Sequence, residues 1–264
     1  FSYVGADIVA GIITTEIHKK DEICLLLDIG TNGEMVLGSK DFLLACSTAA
    51  GPAFEGVNLS CGMSAIEGAI DSVSIKNGKV LFSTIGNKKA TGICGSGIIQ
   101  AISCMLDEGI IDQTGRFDQE GFKAYKSFFK DLNSQPAFFI TDNVYITQKD
   151  IRQIQLAKAS VAAGVKVMLK IANIEVDSIS DVFLSGGFGN YLDPYAAIRI
   201  GLIDKKLSDK IKPVGNAAGN GAVLALLNRQ SEGEFAILKE KVRYIELSNL
   251  PEFSELFVEH MVFD

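Results

Sequence analysis

Twice in this sequence a short apolar run stops at a glycine-rich polar turn, and that pairing constrains the fold more than any other feature. The first run, Ile23-Cys24-Leu25-Leu26-Leu27, leads into Asp28-Ile29-Gly30-Thr31-Asn32-Gly33-Glu34. The second, Val182-Phe183-Leu184, leads into Ser185-Gly186-Gly187-Phe188-Gly189-Asn190. Apolar runs this short, bounded by turn residues, read as buried strands. Glycine at the strand end lets the chain turn sharply and lets a ligand approach the backbone closely. A third cluster, Gly215-Asn216-Ala217-Ala218-Gly219-Asn220-Gly221, opens a helix that continues through Leu227. Strand, glycine turn and helix therefore recur, which predicts an α/β fold.

The remaining pattern fits that class. Met35-Val36-Leu37 and Phe42-Leu43-Leu44-Ala45 supply two further strands of an antiparallel meander. Asn77-Gly78 has the preference for positive φ that a two-residue hairpin turn requires. After Gly92-Ile93-Cys94-Gly95-Ser96-Gly97 the apolar spacing becomes helical through Leu106. Residues 113–146 are mixed and aromatic and read as an inserted subdomain. Thr147 and Asp150 form a variant capping box for a helix over about 148–173, with Ile151, Ile154, Val161, Val165, Met168 and Ala172 on one face. The tail reads as a helix over 232–241, a strand over 244–247 and a helix from Pro251, where proline is tolerated in the first turn.

Composition removes several function classes. With 47% hydrophobic and 22% charged residues in 264, the chain is neither disordered nor fibrous. Its net charge of −7 and lack of a basic block argue against nucleic acid as a partner. No run approaches a membrane span and the first residues lack signal-peptide organisation, so a soluble, cytoplasmic protein with no membrane partner is expected. The five cysteines are widely spaced with no CxxC pair, which favours reduced thiols over disulfides, zinc or a local cluster. The two histidines, His18 and His260, leave little from which to build a catalytic triad.

The turn over 28–34 admits two readings. Its glycines could aim backbone N–H groups at phosphate oxygens, with Asp28 holding Mg2+ through water and Thr31 and Asn32 donating to phosphate. It could equally be a tight hairpin with an Asx turn. The Ser185 turn could receive a flat adenine or ribose, or be a close helix–strand contact. Lys158 falls inside the apolar stripe of its helix, where an ammonium needs an anion or water. It faces a nucleotide cleft, or it snorkels at a helix edge.

Taken in order, DIGTNGE (28–34), CSTAAGPAFEG (46–56), GICGSG (92–97), LSGGFGNYLDP (184–194) and GNAAGNGAV (215–223) resemble the C-terminal region of the reductive activators of corrinoid proteins. That family lies in the superfamily of acetate and sugar kinases, heat-shock chaperones and actin. The resemblance spans essentially the whole chain. It implies a ribonuclease-H-like, actin-like ATPase lobe with a mixed sheet flanked by helices, and a function in returning a Co(II) corrinoid protein to Co(I) at the expense of ATP.

Carried over by residue, the resemblance places Asp28 at the metal, Gly30, Thr31, Asn32 and Gly33 at the phosphates, and Gly186, Gly187 and Phe188 at the adenosine. Glu34 and Glu55 come with it as carboxylates near the chemistry. Glu55 would position water or contact the partner, or would be an exposed loop carboxylate. The implied cofactors are ATP and Mg2+, with a [2Fe-2S] cluster in an N-terminal ferredoxin domain. The implied partner is a corrinoid protein, and a homodimer is one assembly left open. Nothing upstream of Asp28 matches the superfamily's first phosphate motif, so residues 1–264 read as a second lobe without its upstream ferredoxin and first lobe. Two other functions stay in view: a sugar or carboxylate kinase lobe of the same superfamily, and a non-catalytic binding module whose glycine turns serve packing.

Overall fold

The structure is a computed structural model, and it describes residues 5–132, 134–186, 192–227 and 231–264. In chain order the elements begin with α1 (Ala6–Thr15), β1 (Ile23–Ile29), β2 (Gly33–Gly38) and β3 (Leu43–Thr48). Next come β4 (Ala69–Lys76), β5 (Lys79–Thr84), β6 (Gly92–Ile93), α2 (Gly95–Asp107) and α3 (Gln119–Ala124). There follow β7 (Phe129–Leu132), β8 (Gln135–Phe139), β9 (Tyr145–Thr147), α4 (Gln148–Ala172), β10 (Ile179–Ser185) and α5 (Pro194–Arg199). The last are β11 (Ile211–Gly215), α6 (Ala217–Leu227), α7 (Ser231–Lys241), β12 (Val242–Ile245) and α8 (Pro251–Glu259). They fall into two compact units, the first of Phe1–Ala49, Ser160–Asn190 and Ile203–Phe257, the second of Ala50–Ala159, Tyr191–Leu202 and Val258–Asp264.

The first unit is built on a mixed six-stranded sheet of order β11-β10-β1-β2-β3-β12. β1 runs parallel to β10 and antiparallel to β2, and β12 joins the far edge parallel to β3. Side chains alternate across this sheet, and the register sorts them into two cores. Leu26, Val36 and Ala45 lie level on one face and pack with Ile8, Ile12 and Ile13 of α1 and Leu238 of α7. On the other face Met35 and Cys46 lie level and meet the second half of α4, where the Cys46 thiol sits 3.2 Å from the Met168 sulfur. Burial on both faces explains why β1 reads as an unbroken apolar run. α6 lies so close to α1 that a β-carbon on Gly221 would stand 2.1 Å from the Ala10 carbonyl oxygen.

The second unit carries two small sheets, β5-β4-β6 and β7-β8-β9. The β4–β5 hairpin closes through Asn77 (φ 52°) and Gly78 (φ 75°), the primed turn the sequence predicts. The described residues of 113–147 include α3 and the sheet β7-β8-β9, one residue beyond the expected insertion, knit by the ring contacts of Phe117, Phe122 and Phe138 with Phe129. The capping box at the start of α4 is present. The Thr147 N–H donates to the Asp150 carboxylate at 2.8 Å and the Asp150 N–H to the Thr147 hydroxyl at 3.2 Å. Buried Asp150 also accepts from the N–H of Ser60 at 2.7 Å and from its hydroxyl, so one carboxylate caps the helix and pins a loop.

Beyond β6 and the elements inside 113–146, which the sequence reading does not resolve, three more escape the sequence pattern. α1 is amphipathic but lies in a segment without turn punctuation, β11 is polar at Lys212 and interrupted by Pro213, and α5 is short. The tail strand occupies Val242–Ile245 rather than 244–247, because its pairing with β3 runs from Leu43 to Cys46. Among the described residues no helix is long and apolar enough to cross a membrane.

Candidate functional site

The first unit brings the starts of the two glycine turns together at Asp28 and Ser185. β1 and β10 are direct neighbours, with Asp28 level with Ser185, so both turns leave the same end of the sheet. Such strand ends are where open α/β sheets place ligands. On the other side of β1, Asp28 is level with Glu34 and Ile29 with Gly33, and the bend at Gly30–Asn32 closes through the Gly30 N–H and the Asn32 carbonyl at 3.1 Å. Thr31 and Asn32 are exposed at the tip, whereas Gly33 is buried.

Ser185 connects this turn to a helix. Its side chain is fully buried, its hydroxyl accepts the Ala217 N–H at 3.2 Å, and it hydrogen-bonds the Asp28 carboxylate. Ala217 opens α6, so the first peptide of a helix, with its partial positive charge, is coupled through one hydroxyl to Asp28. Asn216 caps the same helix, accepting the Gly219 N–H at 2.8 Å. Gly186 has φ 104°, and a β-carbon there would lie 2.5 Å from the Ile29 carbonyl oxygen and 3.0 Å from Asp28 Oδ1. Only glycine fits against the turn at that point. Gly187 and Phe188 lie outside the described residues.

Asp28 is not the sole carboxylate at this end of the sheet. Burial pushes its carboxyl above the usual carboxylate range, partly offset by the Ser185 hydrogen bond, and the charge of Asp7 pushes it further. Glu34 is raised by burial first, then by Asp7 and Asp28, against a hydrogen bond from the Gly5 N–H. Asp7 sits in the first turn of α1, and the β-carbon direction of Gly5 passes 3.8 Å from a carboxylate oxygen of both Asp7 and Glu34. Asp7 is absent from the sequence expectation. The signal that could have found it is an acidic residue just inside the start of an amphipathic ten-residue pattern. Among the described residues no three acidic, thiol or imidazole groups gather closely enough to enclose a bare ion. Carboxylate oxygens are the donors that small hard cations take, often through the cation's own waters.

The other two expected site residues belong to the second unit. Glu55 is exposed at the end of a short 3-10 turn, Pro52–Glu55. Lys158 is 0% exposed, which corrects the alternative of a snorkelling side chain. Its ammonium donates to the Val262 carbonyl and lies 5.6 Å from the centre of the Phe263 ring. Burial lowers its pKa to about 8, with Asp264 opposing. These partners lie within its own unit. The cysteines are unpaired, and burial raises the thiols of Cys24, Cys46, Cys61 and Cys104, making them poor nucleophiles.

Comparison with known proteins adds to this geometry. A family model described as the C-terminal domain of RACo, the ASKHA domain, matches residues 22–264. The corrinoid activation enzyme RamQ of Eubacterium limosum is 36% identical over 273 residues, covering 99% of this chain and 46% of that protein. The [Co(II) methylated amine-specific corrinoid protein] reductase of Methanosarcina barkeri is 28% identical over 220 residues, covering 75% of this chain and 38% of that protein. A solved structure of a reductive activator for corrinoid,iron-sulfur protein superposes with a TM-score of 0.92 at 40% identity, over 99% of this chain and 43% of that one. The chain spans less than half the length of each of these relatives.

Proposed function

Because the chain belongs to the family of C-terminal ASKHA domains of reductive activators, we propose that it is the nucleotide-binding part of an ATP-dependent reductive activator that returns a Co(II) corrinoid protein to Co(I). The observation that carries this reading is the juxtaposition of Asp28, Ser185 and the start of α6, which sets an acidic turn beside a glycine turn at one end of the sheet. In this reading the turn Gly30-Thr31-Asn32-Gly33 receives the phosphates, and Gly186, with Gly187 and Phe188, receives the adenosine. Asp28 would hold a hydrated Mg2+ through water, and Ser185 holds that carboxylate in place by its hydrogen bond. Glu55 is assigned to the water or the protein partner, as a role to be tested.

The chemistry asked of these residues is energetic. ATP hydrolysis would supply free energy, and a [2Fe-2S] ferredoxin domain, as the resemblance implies, would supply the electron that converts Co(II) to Co(I). The present residues bind and release the nucleotide, and the difference between the two states changes the surface offered to the corrinoid protein. A ligand can shift such an equilibrium only by its differential affinity for the two states. Asp28 and Glu34 supply a source of that difference, since their mutual repulsion is relieved when a cation arrives.

The test is ATPase activity of the full-length protein with and without its Co(II) corrinoid partner, read together with the Co(I) absorbance. Stimulated hydrolysis with Co(I) formation supports the proposal. Hydrolysis that ignores the partner, with no Co(I), rejects it.

A further inference from the structure

We propose that the outer edge of β5 is a docking strand for an extended acidic protein segment. The inference rests on the second unit alone and stands apart from nucleotide binding. In the sheet β5-β4-β6, one edge of β5 pairs with β4, and among the described residues no strand pairs with the other. Its residues are unusually open for a strand, with Leu81 65% and Phe82 44% exposed. The strand is nonetheless held firmly. Phe82 and Leu81 are in register with Val73 and Ser74, the Ser83 hydroxyl donates to Asp71 at 2.6 Å, and the Gly78 N–H at the hairpin tip donates to the Tyr125 hydroxyl at 3.3 Å.

The charge around this edge selects the partner. Lys76 and Lys79 face each other across the tip of the hairpin, and Lys88 and Lys89 follow its other end, where the Thr84 hydroxyl donates to the Lys88 carbonyl at 2.6 Å. All four are exposed, and among the described residues none of their ammonium groups has an ion-pair partner. This is a local excess of positive charge on a chain of net charge −7. The carboxylates around the hairpin are engaged by neutral partners: Asp71 by the Ser83 hydroxyl and Glu108 by the Tyr125 hydroxyl at the tip, while the Glu67 side chain lies against Gly86. Lysine on a sheet edge is a common guard against pairing with a second copy of the same strand, because like charges then meet across the ladder. The same lysines favour a strand with acidic residues at both ends. Six residues of β5 span about 20 Å, so the positive ends and the apolar centre at Leu81 and Phe82 match a segment of seven or so residues. Main-chain pairing would supply affinity and the lysines the choice of sequence.

The probe is a synthetic heptapeptide with two glutamates at each end and a Val-Thr-Val centre, titrated into the full chain by calorimetry and followed by amide hydrogen exchange. Its lysine-for-glutamate counterpart is the control. Binding of the acidic peptide with new protection at Lys79–Thr84, at least tenfold weakened in K76E/K79E and absent for the control, supports the proposal. Lys76 and Lys79 are exposed residues at the strand ends flanking the Asn77-Gly78 turn, so the variant should fold, which its unchanged circular dichroism would verify. No binding, equal binding of the control peptide, protection elsewhere than β5, or unchanged affinity in K76E/K79E overturns it.

Discussion

The Ser185 hydroxyl is the link between Asp28 and α6: it accepts the Ala217 N–H at 3.2 Å and hydrogen-bonds the Asp28 carboxylate. A residue buried in a strand thereby sets the orientation of a carboxylate at the mouth of the neighbouring turn. Replacing Ser185 by Ala leaves the Ala217 N–H without its acceptor in a dry site, at a cost of about 1–3 kcal/mol. Chemical denaturation of S185A should show a loss in that range. Ser185→Thr, which keeps the hydroxyl, should recover part of it.

Asp28→Asn separates folding from cation binding. The ionised carboxylate is disfavoured by burial and by Asp7, so the amide should leave the nucleotide-free protein as stable as before or slightly more so. In the full-length protein the same change should lower Mg2+-dependent nucleotide affinity at least tenfold and leave affinity in the absence of Mg2+ nearly unchanged. Calorimetry with and without EDTA checks both outcomes.

Lys158 sets a pH dependence whose sign can be worked out. Its pKa is lowered to about 8 in the folded chain, and the unfolded chain keeps the ordinary value near 10.4. Between these values the unfolded state binds more protons, so stability rises as pH climbs from about 8 to about 10. The opposing charge is Asp264, itself bound through its carbonyl by Arg199, which also pairs with Asp107. Lys158→Met removes the titrating group. The stability difference between wild type and K158M should therefore move in favour of wild type by roughly 3 kcal/mol across that window. A difference independent of pH in urea unfolding would contradict the assigned environment.

Gly221→Ala tests the close approach of α6 and α1. The added methyl would stand 2.1 Å from the Ala10 carbonyl oxygen, a backbone atom that cannot rotate away. Separation of the helices should cost about 1–3 kcal/mol, despite the better helix propensity of alanine. Thermal unfolding of G221A should show a lower midpoint than wild type. Gly233→Ala in α7, where nothing stands within 4 Å of the added carbon, should not.

Much of the fold was legible where one physical requirement dominates a short segment. β1 is a run of Leu because it is buried on both faces, the Asn77-Gly78 turn needs positive φ at both residues, and α4 announces itself through Thr147 and Asp150. β11 was not legible, because an edge strand containing Lys212 and Pro213 is defined by the neighbour it pairs with and not by its own pattern. α1 escaped for a similar reason, since its apolar face has meaning only against Leu26, Val36 and α6.

The candidate site divides in the same way. The residue types of the two glycine turns are properties of the sequence alone, and together with the motifs at 46–56, 92–97 and 215–223, in order, they sufficed to place the chain in its family. The tertiary structure decided what those turns do to each other. Only the parallel pairing of β1 with β10 makes Asp28 and Ser185 neighbours, and only the return of α1 and α6 adds Asp7 and the Ala217 peptide to them. It also gave Lys158 to the Val262 carbonyl, a choice no helical wheel contains. The reason is physical: propensity and turn chemistry act within a few residues, whereas the field at a carboxylate and the partner of a buried ammonium are set by whatever the fold brings within a few ångströms.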